Sequence, residues 1–285
     1  MTTSKTSLAL ALLCLSLFAR AETFTFTAIP DEDESRLVQR FTQVSDYLEK
    51  ELGVEVNYIP VKSYAAAVTA FRNNQVQLAW FGGLSGVQAR LQVPDSLALA
   101  QGYEDQFFKT YIIAHKSAGL TKSDNFPNAI KGKTFTFGSK GSTSGRLMPE
   151  FFIREHFKQA PQKVFQRVGF SGDHSMTIAQ VQAGAYQLGA VNYLVWETEL
   201  AAGKIDLTKA SVIWETPNYA DYQWTIRGDA DKRYGKGFTE KVRKTLLNMK
   251  EPSLLQAFPR KSFVPASNSD YEAIESTARA IDILQ

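Results

Sequence analysis

The chain has 285 residues, of which 32 are basic and 29 acidic, and its net charge is +3. This near balance leaves no basic arm or stripe, which argues against nucleic-acid binding. Three widely spaced histidines argue against a metal site. The single cysteine, Cys14, lies in a leader-like segment, so the mature chain would have no thiol nucleophile and no disulfide. We expect neither a metal nor a cofactor.

Residues 1–21 have the three parts of a signal peptide. Lys5 supplies the positive charge, residues 8–18 form an apolar core too short to span a bilayer, and residues 19–21 (Ala-Arg-Ala) fit a cleavage site. We therefore expect cleavage near Ala21 and export to the bacterial periplasm.

Hydrophobic periodicity then alternates between strand and helix patterns. The first half predicts strands at 23–29, 54–61, 77–82 and 97–103, with helices at 37–48, 64–71 and 84–91. This order predicts a largely parallel sheet with helices on both faces.

The alternation restarts after residue 108. It predicts strands at 109–116, 133–139, 163–170, 186–193, 211–216 and 222–228, and helices at 147–158, 174–183, 238–250 and 268–283. The last helices have no strands of their own, so this segment is expected to return to the first unit.

The fold class predicted is therefore α/β with two lobes. Lobe 1 would comprise residues 22–108 plus 218–285, lobe 2 would comprise residues 109–217, and the signal peptide residues 1–21. Ligands in open α/β sheets bind beyond the carboxyl ends of the strands. Two lobes joined by two crossings would therefore enclose a ligand cleft.

The segment GSKGSTSGR (138–146) is the clearest candidate site. It follows a predicted strand and precedes a predicted helix, so its N–H groups and the hydroxyls of Ser142, Thr143 and Ser144 would gather at a helix N-terminus, which favours an anion. The competing interpretation is a plain loop that ends in a helix cap. Because no lysine follows the glycines, the segment is not a nucleotide-binding P-loop.

Other polar or aromatic groups also lie at or near predicted strand ends. Each has a competing interpretation as a core aromatic, a helix cap or a turn residue. The candidates are Tyr64, Trp80, Phe81, Gly82, Tyr111, His174 and Asn192.

Several runs together resemble a known family. They are TAIPDED (27–33), IPVKSYAAAVTAF (59–71), LAWFGGLSG (78–86), GKTFTFGSKGSTSGRLMPEFF (132–152), GFSGDH (169–174) and LGAVNY (188–193). The chain resembles the periplasmic substrate-binding proteins of phosphonate/phosphite ABC transporters, and within them a selenate-binding subgroup.

The resemblance implies a two-lobed type II binding-protein fold and a set of ligand-binding residues. Ser142, Thr143 and Ser144 would bind a tetrahedral oxyanion, which Tyr64 and His174 would also reach. By the same resemblance, the turn Trp80–Phe81–Gly82 would shape the pocket floor, and a hinge tyrosine of the family would match Tyr111 or else Tyr103.

Asn192 marks an apparent departure from the family, whose phosphonate binders carry an aspartate there. A carboxylate only accepts hydrogen bonds, so it requires a protonated ligand oxygen, whereas an amide can donate to a dianion such as selenate or sulfate. On this reasoning we expect Asn192 to shift preference towards a fully deprotonated oxyanion.

The function expected is a monomeric periplasmic receptor that carries an oxyanion, selenate in the first place, to an inner-membrane ABC permease. The alternatives are a phosphite or phosphonate transport component, and a sensory oxyanion receptor for a histidine kinase. A Ser/His hydrolase is disfavoured, because the serine elbow motif would have Thr143 at its centre.

Overall fold

The structure is a computed structural model that describes residues 22–284, so the predicted signal peptide lies outside the described residues. Within that range no helix combines the length and the apolar character needed to cross a membrane. The strands are β1 Phe24–Ala28, β2 Val56–Tyr58, β3 Leu78–Phe81, β4 Leu97–Gly102, β5 Thr110–His115, β6 Thr134–Phe137, β7 Arg167–Phe170, β8 Leu188–Asn192, β9 Ala210–Glu215, β10 Gln223–Ile226 and β11 Phe263–Pro265.

Helices cover both sheets formed by these strands. They are α1 Glu34–Leu52, α2 Tyr64–Arg72, α3 Gly83–Gln92, α4 Met148–Phe157, α5 Pro161–Val164, α6 His174–Gln182, α7 Tyr193–Ala201, α8 Ala230–Tyr234, α9 Phe238–Leu247, α10 Pro252–Ala257 and α11 Glu272–Ala280.

The strands form two mixed sheets. The first has the order β11-β4-β10-β3-β1-β2, and the second has the order β7-β6-β8-β5-β9. In the first sheet β10 runs antiparallel to both neighbours and β11 runs antiparallel to β4, whereas in the second only β5 runs against its neighbours. The architecture is thus the predicted α/β fold with two sheets, but the expectation of a largely parallel sheet is wrong. Three of the five strand pairings in the first sheet and two of the four in the second are antiparallel, because β5 and β10 each run against both of their neighbours and β11 runs against β4.

Helix α1 illustrates how the sequence specifies these elements. The Asp33 side chain caps its start by accepting hydrogen bonds from two backbone N–H groups, and Gly53 ends it with a φ of 68°. Leu37, Phe41 and Val44 recur at helical spacing and are buried on the first sheet.

Two segments connect the sheets and pair with each other. The chain passes from β4 to β5 near Phe108 and returns from β9 to β10 near Tyr219. Phe108 and Tyr219 exchange two backbone hydrogen bonds of 2.9 Å. The crossings therefore form one short antiparallel ladder beside the cleft.

The structure differs from the predicted elements at several places. The predicted strand 163–170 begins instead as helix α5, where Pro161 starts a helical turn, and only β7 is extended. Helix α7 follows β8 directly and was not predicted, because its apolar residues are not confined to one stripe. The C-terminal segment also contributes a strand, β11, whose three residues are too few for a periodic signal.

Candidate functional site

The loop after β6 is built around the Ser142 hydroxyl. Its oxygen accepts a hydrogen bond of 2.8 Å from the Gly145 N–H, and one wide turn of π-helix, Thr143–Leu147, leads into α4. A Cβ atom at residue 145 would lie 3.0 Å from the Ser142 oxygen and 3.1 Å from the His174 ring, so a side chain there would force these neighbours to shift. Ser142, Thr143 and Ser144 are all buried.

A second helix N-terminus faces this loop from the first sheet. The Leu84 N–H of α3 donates to the Thr143 hydroxyl at 3.0 Å, and the neighbouring Gly83 N–H donates to Asp221 at 2.8 Å. A Cβ atom at Gly82 would approach Asp221 to 3.1 Å. The predicted glycine thus allows the backbone to approach the carboxylate closely.

Asp221 is a functional candidate that the sequence analysis missed. It is buried, and its Oδ2 atom has no hydrogen-bond partner. Burial raises the pKa of Asp221 to about 7, although the Gly83 N–H and the Thr143 hydroxyl act in the opposite direction. Its only signal in the sequence is its position just before a strand, which many loop aspartates share.

His174 closes another side of the site in its neutral form. Its ring is fully buried, and burial lowers its pKa to about 4, although Glu32 acts in the opposite direction. The Asn192 N–H donates to Nδ1 at 3.3 Å, which leaves the ring hydrogen on Nε2. Nε2 lies 3.5 Å from the Ser144 hydroxyl, so His174 presents a neutral donor towards the loop.

Tyr64 is the first residue of α2, where the Ser63 side chain caps the helix. Its hydroxyl is buried without a hydrogen-bond partner. Burial raises the pKa of Tyr64 well above its ordinary value, and the Asp31 carboxyl adds to this effect. The phenol therefore keeps its proton, and it lies next to the Ser142 hydroxyl, which acts on its pKa in the opposite direction.

These groups form one buried cluster joined by hydrogen bonds, which we name the cage. The cage contains neutral hydrogen-bond donors and one carboxylate, with no lysine or arginine among its members. Its residues are Tyr64, Ser142, Thr143, Ser144, His174 and Asp221.

The structure does not bring every predicted residue to the cage. Phe81 packs in the core against Phe71, with ring centroids 5.6 Å apart. The Tyr111 hydroxyl donates instead to Glu197 at 3.0 Å, and Tyr103 is 45% exposed.

Tyr219, on the returning crossing segment, lies beside the binding loop. Its hydroxyl lies 2.7 Å from the Thr110 hydroxyl, which donates to the Ser144 carbonyl oxygen at 2.9 Å. The Tyr219 hydroxyl also interacts with the Ser144 side chain. The resemblance pointed to Tyr111 or else Tyr103, and no signal in the sequence singled out Tyr219.

Asn192 is close to the cage, but its amide is engaged within the protein. Oδ1 accepts hydrogen bonds from Leu194 and Val195 and so caps α7, while Nδ2 donates to the Tyr222 hydroxyl at 3.0 Å. The cap and turn interpretation therefore describes Asn192 better than direct donation to a ligand. A buried carboxyl is present elsewhere in the site, at Asp221 beside Thr143.

Trp80 lies on the far side of this network. Its ring stacks on Tyr222, with centroids 5.5 Å apart and an interplanar angle of 26°. Trp80, Tyr222, Asn192 and Asp31 all line a cavity of 360 Å³ that adjoins the cage.

Comparison with known proteins identifies the family. Residues 26–271 match the family model described as "ABC transporter, phosphonate, periplasmic substrate-binding protein". The chain is 40% identical over 283 residues to PhnD1 of Prochlorococcus marinus (strain MIT 9301), described as a probable ABC transporter phosphite binding protein. That match covers 97% of this chain and 95% of the relative.

Solved structures agree with this assignment. The structure of Prochlorococcus marinus PhnD1 in complex with methylphosphonate has a TM-score of 0.88 and 41% identity, covering 92% of this chain and 99% of that one. A binding-protein component of an ABC phosphonate transporter from Pseudomonas aeruginosa has a TM-score of 0.78 at 19% identity, covering 90% and 85%, and shows the shared fold.

These relatives are components of transporters and not enzymes, which leaves the hydrolase alternative without support. The family is periplasmic and works with an ABC permease. The chain therefore belongs to the family of periplasmic substrate-binding proteins of phosphonate ABC transporters.

Proposed function

We propose that this protein binds phosphite or a small phosphonate in the cage and delivers it to its permease. The observation that carries this proposal is the buried Asp221 carboxyl, whose Oδ2 has no partner and adjoins a set of hydroxyl donors. PhnD1, the relative 40% identical to this chain, is described as a phosphite binder, which supports the same ligand class.

The protonation states of the ligand and of the Asp221 carboxyl together favour one class of ligand. An ionised Asp221 can only accept, so the bound oxyanion must carry a hydrogen. Phosphite and phosphonates carry one near neutral pH, whereas selenate and sulfate are dianions there. A dianion would bind only with Asp221 protonated, and otherwise two like charges would be buried together.

Phosphite or a small phosphonate therefore replaces selenate as the ligand that we expect. That expectation depended on an amide taking the place of the family's acid, but Asn192 caps α7, and we assign the role of that acid to Asp221. Nothing in the comparisons supports a selenate-binding subgroup.

Enclosure of the ligand follows from the same geometry. All six cage residues are buried, and they come from both sheets, so the ligand must be covered when the two halves meet. We propose lobes of residues 22–108 plus 218–285 and of residues 109–217 as the bodies that close. A monomer remains the expected state.

The test is calorimetry on refolded, ligand-stripped protein with phosphite, methylphosphonate, phosphate, sulfate and selenate. The proposal expects phosphite and methylphosphonate to bind tightly, and selenate and sulfate weakly. Tighter binding of selenate than of phosphite would return the ligand to the one first expected from the sequence.

Asp221→Asn makes the test specific. Loss of a hydrogen bond to a charged group should weaken phosphite binding roughly 10- to 100-fold. The same change should raise the affinity of sulfate and selenate relative to phosphite, because the amide can donate to a dianion. An unchanged order of ligands in Asp221→Asn would refute the role given to this carboxyl.

A further inference from the structure

The cavity beside the cage has walls from both halves of the molecule. Its volume is 360 Å³, which lies within the range of small-molecule sites, and none of the six cage residues lines it. Helix α1 and the segment 258–260 form one wall on the side of the first sheet, whereas α7, which follows β8 of the second sheet, forms the other. A molecule that fills this cavity would therefore contact both halves at once.

Two arginines of α1 have unused donors at this cavity. Arg36 and Arg40 both line it, and both pair with the Glu32 carboxylate, at 3.3 Å in the case of Arg36. The Nε–H group of each arginine is buried and has no hydrogen-bond partner among the described residues. Because a buried donor without a partner is costly, both groups favour an acceptor that enters the cavity.

The Asp31 side chain has a third unpartnered atom. It lines the cavity, is 4% exposed, and within the described part of the chain its Oδ1 atom has no hydrogen-bond partner. Burial raises the pKa of the Asp31 carboxyl, although the Arg40 guanidinium acts in the opposite direction. A carboxyl that keeps its proton can donate to an anion instead of repelling it.

Apolar side chains form another part of the lining. Leu194 and Val195 contribute from α7, and Trp80, Phe258 and Pro259 contribute from the other wall. A ligand that suits the whole cavity therefore combines an anionic group for the arginines with an alkyl chain for this surface. Phosphite has no alkyl chain and would leave the apolar surface uncovered.

We propose that this cavity is a second binding site, separate from the cage, for a short-chain aliphatic carboxylate. Its oxygens would accept from the Nε–H groups of Arg36 and Arg40, and its chain would pack on Leu194 and Phe258. Because this ligand would contact both halves, it would stabilise the closed form and so strengthen binding in the cage. The coupling to the cage rests on the proposed function, whereas the second site itself does not.

The experiment is calorimetric titration of acetate, butyrate and hexanoate into ligand-stripped protein, with and without saturating phosphite. Affinity should rise about fourfold for each methylene added between acetate and butyrate, because each one is buried. Butanol and butylammonium lack the carboxylate and should bind at least tenfold more weakly than butyrate. Saturating phosphite should tighten butyrate binding about five- to tenfold.

Two variants test whether butyrate binds in the cavity. Arg40→Met removes one guanidinium and should weaken butyrate binding at least tenfold. Thr198 also lines the cavity, and Thr198→Leu should weaken butyrate binding to a similar degree by filling space without a change of charge. Arg72→Met removes an exposed arginine outside the cavity and should bind butyrate like wild type.

Several outcomes would contradict the inference. Equal binding of butyrate and butanol would show that the cavity does not recognise a carboxylate. Weaker butyrate binding in the presence of phosphite would mean that both compete for the cage. If Arg40→Met or Thr198→Leu melts cooperatively and binds butyrate as tightly as wild type, the site lies elsewhere. Wild type that binds butyrate but not phosphite would refute the proposed function and the coupling, while the second site would stand.

Discussion

Thr143 joins the two halves of the molecule at a single hydroxyl. Its oxygen accepts from the Leu84 N–H of the opposite helix, which leaves its hydrogen for an acceptor in the cage. Thr143→Ala should weaken phosphite binding by about 1–3 kcal/mol, measured by calorimetry. Thr143→Ser keeps the hydroxyl and is the matched control. An equal loss in both variants would mean that the methyl group, and not the hydroxyl, matters.

His174 should make stability depend on pH. Its pKa is lowered to about 4 by burial, below the ordinary value near 6.5, so the folded state resists protonation. Its contribution is complete above pH 6.5 and is lost as the pH falls towards 4, by about 3 kcal/mol. Urea unfolding of wild type and His174→Gln across this range should show the difference narrowing as the pH falls.

The raised pKa of Asp221 gives stability the opposite dependence on pH. For this reason wild type must be compared with His174→Gln at each pH. A carboxyl that is easier to protonate in the folded state stabilises at low pH, and this stabilisation is lost as the pH rises towards about 7. Wild-type curves alone would therefore mix two opposing effects. A difference between wild type and His174→Gln that does not change with pH would contradict the assignment to the His174 ring.

At the residue scale, the sequence predicts the hydroxyl groups of the site better than it predicts the distant residues that contact them. The hydroxyls of Ser142, Thr143 and Ser144 follow from a local pattern of strand, glycine-rich loop and helix. Asp221 and Tyr219 come from a crossing segment whose position depends on both sheets, so no local pattern could place them. Both residues reach the site through contacts with residues more than a hundred positions away in the sequence, namely Thr110 and Gly83.

At the scale of elements, helices α1 and α7 are linked across the cleft by Glu199. This carboxylate accepts from Arg36 at 2.9 Å and from Ser175 at 2.7 Å. Because Arg36 and Glu199 lie on opposite sides of the cleft, we expect the pair to stabilise the closed form.

Arg36→Met should therefore weaken phosphite binding about three- to tenfold, mainly through faster release. High salt should reduce the difference between this variant and wild type, because the pair is only partly buried. Lys62→Met removes an exposed partner of Glu34 on the same sheet and should have no effect. Stopped-flow binding at low and high salt provides the measurement, and equal release rates would exclude the link.

The elements that sequence reasoning recovered are those with a clear apolar stripe. Helix α1, with Leu37 and Phe41 at helical spacing, is one example, and its cap residues are also recognisable. Helix α7 lacks a stripe because its apolar residues are spread around the helix, with only Val195, Trp196 and Glu199 buried, and β11 is defined only by its pairing with β4. In both cases tertiary packing, and not local propensity, decides the structure.

At the scale of the whole molecule, a buried ion pair ties the C-terminal segment to the first crossing. Arg260 donates to both oxygens of Asp105, at 2.7 and 2.8 Å, and both side chains are almost fully buried. Arg260→Met would leave Asp105 buried without its counterion and should cost about 3–5 kcal/mol of unfolding free energy.

Two further variants test whether the unpaired charge of Asp105 causes the loss of stability. Asp105→Asn combined with Arg260→Met should recover part of the lost stability, because no unpaired charge remains. Lys158→Met, at an exposed pair with Glu155, should leave the unfolding free energy unchanged. Urea denaturation of the four proteins gives the values, and a double variant as unstable as Arg260→Met would argue against the charge as the cause.

The contact between Thr110 and Ser144 has a consequence for the traffic of ligand through the transporter. Thr110 begins the crossing strand, and its hydroxyl holds the carbonyl of the binding loop while lying beside Tyr219 of the returning segment. One hydroxyl thus links the binding loop to both crossings, and we expect a ligand in the loop to act on both of them through it. We expect a variant that lacks only the Thr110 hydroxyl to bind its ligand but to deliver it poorly to the permease. In a cell that produces both forms, this variant would compete with the intact protein for ligand and so reduce uptake.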